Sequence, residues 1–217
     1  MKTVTEAVRE VLFASDVALE ALRAGVLNMS AFAEQIKPEV ERMTWKSVQK
    51  NTVVVALSRV ADELDAVPAL HPEVLIDELS MKAPLADITY ERTETTLQSA
   101  QQLSYTLGLL PAQFLTITQG LNEITIIVSQ ERLAEVEAHM RTQPKSVFHN
   151  LVGMTMKFNE QYLPQPNVLY SLLSKLAHQR INLYEMVSTY TELTVFIDES
   201  QLDRAVGVMN KLLRKSA

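Results

Sequence analysis

Residues 123–129 read EITIIVS and residues 192–198 read ELTVFID. Both put an apolar residue at every second position, the mark of a strand with one buried face. The likeness continues past the strands at a constant offset of 69: Glu123 matches Glu192, Thr125 matches Thr194, Leu133 matches Leu202 and Met140 matches Met209. A strand and the helix after it are therefore written twice. Repetition of this kind constrains the architecture before any single motif does.

Working outward, the apolar spacing predicts strand 85–91 (LADITYE), helix 95–107, strand 113–119 (QFLTITQ), strand 123–129 and helix 130–141. The pattern then resumes as strand 152–158 (VGMTMKF), helix 167–179, strand 181–188 (INLYEMVS), strand 192–198 and helix 200–214. Residues 146–151 (SVFHNL) add a strand between the two series. Each unit, 85–150 and 151–217, is β-α-β-β-α-β in outline, the ferredoxin-like arrangement. Its helices cover one face of an antiparallel sheet, so the other face or an edge needs a neighbour. No strand follows the last helix of the second unit, and another segment is expected to complete its sheet. The expected assembly is two repeats pressed together at their uncovered flanks, within a chain or in a homodimer, with a crevice where a helix begins.

The fold class read from the sequence is α+β, with a three-helix, helix-turn-helix-like domain over residues 1–66 ahead of the repeats. One amphipathic helix is predicted for 4–24, closed by Gly25. A second starts at Ser30 and restarts at Pro38, and a third follows Ser47 as VQKNTVVVALSRVADEL. Residues 67–84, punctuated by Pro68, Pro72 and Pro84, read as a linker holding a short helical piece, EVLIDELSM. Across 37–59, Lys37, Arg42, Lys46, Lys50 and Arg59 outnumber Glu39 and Glu41. Lys46, Lys50 and Arg59 are thus the candidate nucleic-acid contacts, since DNA affinity rests mainly on phosphate neutralisation. The competing reading is a helical docking unit with Val53, Val54 and Val55 in its core and Trp45 packed against the helices.

Composition narrows the function classes. A formal net charge of −6 argues against chain-wide affinity for nucleic acid or anionic membrane. The absence of cysteine excludes disulfides, thiol nucleophiles and Cys-ligated metals. Lys2, Glu6, Arg9 and Glu10 interrupt any secretory leader, and no apolar run is long enough to span a bilayer, so a cytoplasmic location is expected. His71, His139, His149 and His178 lack ligand spacing, and there is no Gly-rich phosphate loop or nucleophile elbow. Neither a catalytic role nor a metal or cofactor is expected.

Residues 164–209, PQPNVLYSLLSKLAHQRINLYEMVSTYTELTVFIDESQLDRAVGVM, resemble the ACT regulatory domain, and most closely the type at the C-terminus of aspartate kinases. Members of that family have a loop ending in Pro-Gly, a helix, an Ile-Asn-(Ile/Leu) strand start, a Ser/Thr-rich strand end, a hydrophobic strand and a helix. The resemblance spans about residues 83–217, is strongest over 163–213, and departs at Asn167, where glycine is usual. It implies a freestanding, non-catalytic module that binds an amino acid between domains. About 80 mostly helical residues precede the repeats, and a kinase domain is not expected in them. The implied contacts are Gln165, Asn167 and Val168 at the loop, Asn182 at the strand start, and Ser188, Thr189 and Thr191 in the turn. A loop feeding a helix offers unpaired N–H groups and the positive dipole end to a carboxylate. The matching loop of the first repeat, Arg92 to Thr95, reads as ordinary helix capping.

Overall fold

The structure, a computed structural model, describes residues 1–64, 68–107 and 114–214. The chain forms two compact units, Met1–Pro72 and Glu73–Ala217.

In the first unit, α1 (Val4–Phe13) opens on a capping box: Glu6 N–H donates to Thr3 Oγ1 at 3.2 Å, and Thr3 N–H donates to Glu6 Oε2 at 2.7 Å. The single helix expected over 4–24 is in fact two. Ser15 leaves the helical path and caps α2 (Asp16–Arg23) by accepting the Ala18 N–H, the local bonding that makes serine a better cap than a helix interior. Gly25 ends α2 as expected, with φ +71° and the Val26 N–H reaching back to the Ala21 carbonyl. Helix α3 (Met29–Thr44) starts on Asn28, not Ser30, and runs unbroken through Pro38. Helix α4 (Lys50–Glu63) follows. Four helices therefore stand where three were expected. They share a core that includes Val8, Leu12, Leu19, Ile36, Val40 and Leu57. Two further readings are corrected. Trp45 closes α3 with a left-handed backbone and is 85% exposed, and Val55 is half exposed, so neither belongs to that core.

The second unit begins with β1 (Ile76–Glu91), sixteen residues long and containing a cis Ala83–Pro84 bond. The helical piece assigned to EVLIDELSM is thus corrected to strand from Ile76 onward. Pairing with β4 overrides the helical spacing there, as sheet context commonly does. Then come α5 (Glu94–Leu107), β2 (Leu115–Gln119), β3 (Glu123–Ser129), α6 (Leu133–Met140), β4 (Ser146–Phe158), α7 (Val168–His178), β5 (Glu185–Ser188), β6 (Glu192–Asp198) and α8 (Leu202–Met209). A single 3-10 turn precedes both α6 and α8. The expected turn GLLPA, the start of strand 113–119 and the boundary at 66–67 lie outside the described residues.

Among the described residues the six strands join one antiparallel sheet in the order β2-β3-β1-β4-β6-β5. The expectation of separate sheets pressed together is corrected: the sheet is undivided, with β1 and β4 at its centre. Residues Leu85–Glu91 of β1 run beside β3, while its first part, Ile76–Lys82, runs beside Gly153–Phe158. The segment read as a linker therefore supplies a strand beside β4 of the C-terminal half. A parallel bridge from Ile76 to Leu213 and the Arg214 N–H to Ile76 carbonyl bond tie the end of α8 to it.

Strand alternation sorts the core. Ile88, Tyr90, Ile124 and Ile126 meet Leu103 and Val136 on one side of the centre. Val152, Met154, Val195 and Ile197 meet Leu172, Leu176 and Met209 on the other. Each fully buried aliphatic side chain contributes about 1.5–3 kcal/mol of transfer free energy. The second face of the sheet carries Leu85, Ile127, Leu151 and Phe196, with the Phe114 ring edge-on to Phe196 at 5.9 Å. A Cβ at Gly153 would come within 3.0 Å of Leu85 Cδ1 and 3.1 Å of Phe196 Cε1, so glycine lets those two side chains meet.

Candidate functional site

Two loops carry the chain from a central strand into a helix. Between β1 and α5 there are only Arg92 and Thr93. Thr93 Oγ1 accepts the Thr96 N–H at 3.1 Å, Thr96 Oγ1 accepts the Thr93 N–H at 2.8 Å, and the Thr96 hydroxyl donates to the Glu91 carbonyl at 2.7 Å. The polar groups of this turn are spent on each other.

Between β4 and α7 the loop runs from Asn159 to Asn167. It folds through a 3-10 turn at Glu160–Tyr162, capped by Asn159, and Tyr162 is held in place by accepting the Leu75 N–H at 3.2 Å. Asn167 enters α7 with φ +68° and ψ +10° and makes no side-chain capping bond to the helix. That backbone costs most L-residues about 1–2 kcal/mol and is tolerated best by Gly, Asn and Asp. Asparagine thus preserves the turn that a glycine would make.

The longer loop leaves a cavity of about 340 Å³. Gln165 and Asn167 line it from the loop, Val168 from the first position of α7, Ser188 from the end of β5 and Thr189 from the turn after it. Five of the seven expected ligand residues are therefore brought together. Asn182 and Thr191 are not. Asn182 sits at the other end of β5, its N–H donating to Gln201 Oε1 at 3.0 Å, and the Thr191 carbonyl instead receives the Phe158 N–H at 3.0 Å. Asn182 precedes β5 by three residues, and Thr191 lies in the turn just ahead of β6. The aromatic and apolar wall was not foreseen. Phe158 and Tyr162 are buried in it, Leu163 and Leu169 flank it, and Tyr170 and Tyr190 stand at its mouth. Its one sequence signal is the clustering of tyrosines around the loop and turn.

Elsewhere in the sheet unit, Asp87 of β1 is buried on the second face, with one carboxylate oxygen lacking a hydrogen-bond partner. Burial, reinforced by the charge of Glu185 and opposed by the Thr89 hydroxyl, pushes its pKa up to about 6. Among the described residues no group of His, Asp or Glu could hold a metal, and no helix is long and apolar enough to cross a membrane. His139 is engaged with the Ser99 carbonyl at 3.0 Å.

In the helical unit, three of the five cations between 37 and 59 are paired: Arg42 with Glu39, Lys37 with Glu41 and Lys50 with Glu34. Lys46 and Arg59 are exposed, Arg59 beside a shallow groove formed with Val4, Thr52 and Val55. Of the predicted nucleic-acid contacts Lys46, Lys50 and Arg59, Lys50 is thus engaged with a carboxylate.

No protein-family model matches the sequence, and no curated protein matches it. Among solved structures the chain is similar to the regulatory subunit of aspartate kinase from Thermus thermophilus in its ligand-free form: 10% identity, TM-score 0.53, covering 64% of this chain and 99% of that one. It is similar also to a structure of aspartokinase alpha and beta subunits (13%, TM-score 0.51, 63% and 97%) and to aspartate kinase from Clostridium acetobutylicum (10%, TM-score 0.53, 66% and 37%). The chain spans just over a third of the length of that last enzyme. At such identities the likeness establishes fold: over about two-thirds of its length this chain is built like the regulatory subunits of aspartate kinases, the ACT-type likeness legible in residues 163–213.

Proposed function

We propose that the chain is a non-catalytic regulator whose two ACT-like halves bind an amino acid in the cavity at the start of α7. Binding then changes how two copies in a homodimer dock. The observation that carries this is the convergence of Gln165, Asn167, Val168, Ser188 and Thr189 on one cavity at a helix N-terminus. The first-turn amides and the dipole of α7 suit a carboxylate, and the Ser and Thr hydroxyls and side-chain amides offer neutral acceptors for an ammonium group. A ligand can shift docking only by as much as its affinities for the two arrangements differ, which a site near the edge of a shared sheet allows.

The duplicated halves are the natural frame for this. Thr89 bonds Thr125 at 3.0 Å in one and Thr155 bonds Thr194 at 2.8 Å in the other, at matching positions across their strands. A DNA-binding regulator built on the helical unit draws less support, because Arg42, Lys37 and Lys50 already face carboxylates.

Thermal unfolding of the full chain with a panel of amino acids tests the proposal. A ligand held only by the folded state stabilises it by about 2.7 kcal/mol at one hundred times its Kd, a rise in Tm of several degrees. A flat response across the panel refutes amino-acid binding. Retention on DNA at low salt that is lost in Lys50→Glu would instead revive the DNA reading.

A further inference from the structure

We infer that the ligand of this cavity is an α-amino acid with an uncharged, apolar side chain, aromatic or branched. The inference rests on the amino-acid reading above and goes beyond it by excluding lysine-like and aspartate-like ligands. The eleven lining residues include no Asp, Glu, Lys, Arg or His. Their polar groups are two side-chain amides, two hydroxyls and the phenols of three tyrosines, enough to hold the ammonium and carboxylate that every amino acid carries. Beyond those head groups the wall is apolar: Phe158 is 4% and Tyr162 7% exposed, with Leu163 and Leu169 beside them.

A lysine ammonium or an aspartate carboxylate brought into this wall would lose its water without gaining a counter-ion, which is heavily disfavoured. The tyrosine faces offer an ammonium some cation–π attraction, but at an open mouth this is small beside the lost hydration. An apolar side chain gains on both counts, since it covers Tyr190 and Tyr170, which are 69% and 40% exposed, while burying its own surface. Size points the same way. About 340 Å³ is near the lower end of ligand sites, roughly 300–1,000 Å³, and suits one amino acid better than a nucleotide or a peptide.

Isothermal titration of the full chain with leucine, phenylalanine, lysine and aspartate decides the class. Leucine or phenylalanine is expected to bind at least about tenfold more tightly than lysine or aspartate. Leu169→Glu supplies the missing charge at a half-exposed site in the first turn of α7, where an acidic residue suits the helix dipole. It is expected to weaken leucine by about tenfold and to strengthen lysine. Lysine or aspartate binding as tightly as leucine to the native chain overturns the apolar class and leaves amino-acid binding intact. An unchanged order of preference in a folded Leu169→Glu chain overturns the assignment to this cavity. No heat from any of the four overturns amino-acid binding itself, and the class with it.

Discussion

The two halves of the sheet unit solve the same packing problem and differ where they leave room. Leu103 of α5 and Leu172 of α7 are 69 positions apart and equally buried, and the threonine pairs across the strands match. Yet the turn into α5 is two residues long and closes on its own hydroxyls, whereas the loop into α7 is nine residues long and ends in a left-handed asparagine beside a cavity. A second contrast lies on the other face. Asp87 stands opposite Ile127 in one half, and Gly153 opposite Phe196 in the other. The two halves thus share the contacts that bury apolar area and differ in the loop and in the few positions where function or strain can be placed.

The comparison can be broken most directly in the core. Leu103→Ala and Leu172→Ala should each destabilise the chain by about 2–5 kcal/mol, measured by urea unfolding. A loss under 1 kcal/mol for one of them would show that the halves are not packed alike. Gly153→Val forces a branched side chain against Leu85 and Phe196 and should cost about 1–3 kcal/mol, while a β-branched residue at the matching position, Asp87→Val, should meet no comparable clash.

Asp87 sharpens the contrast through pH. Its folded pKa of about 6 lies above its ordinary value of 3.8, so the folded state holds the proton more tightly. The associated stability is complete below about pH 4 and is lost as pH rises through 6. Asp87→Asn should therefore stabilise the chain by about 3 kcal/mol at pH 7.5 and make little difference near pH 4. A pH-independent gain would mean that the carboxyl is not the titrating group.

The loops give the smallest effects. Thr93→Ala removes a cap and should cost about 1 kcal/mol without altering amino-acid binding. Asn167→Gly keeps the left-handed turn and should leave stability within a few tenths of a kcal/mol, since glycine adopts φ +68° freely, while weakening any amino acid that the asparagine contacts. Equal effects of Thr93→Ala and Asn167→Gly on binding would erase the distinction between the loops.

Much of this was legible. The strands 123–129 and 192–198 came out residue for residue, because an alternating run with one buried face has a single register that hides its apolar side. Both loop-to-helix entries were also readable, and with them five of the residues at the cavity. What failed were segments whose state depends on partners far away in sequence. EVLIDELSM has a helical spacing, and Ile76–Lys82 becomes strand only because Gly153–Phe158 lies alongside. The break at Ser15 follows from a local cap that competes with an equally good helical spacing, and α3 runs unbroken through Pro38 although proline commonly ends a helix.

The sequence by itself determined the likeness of 123–129 to 192–198, the periodicity of those strands, and the residue types at the turn into α7. These follow from covalent spacing and from the drive to bury one face. Only the tertiary structure decided that the two series share one sheet, that the presumed linker completes it, and that aromatic side chains wall the cavity. Those features depend on contacts between residues far apart in the chain, some 70 to 80 positions for Ile76–Lys82 beside Gly153–Phe158, whose free energy is expressed only when both partners are in place.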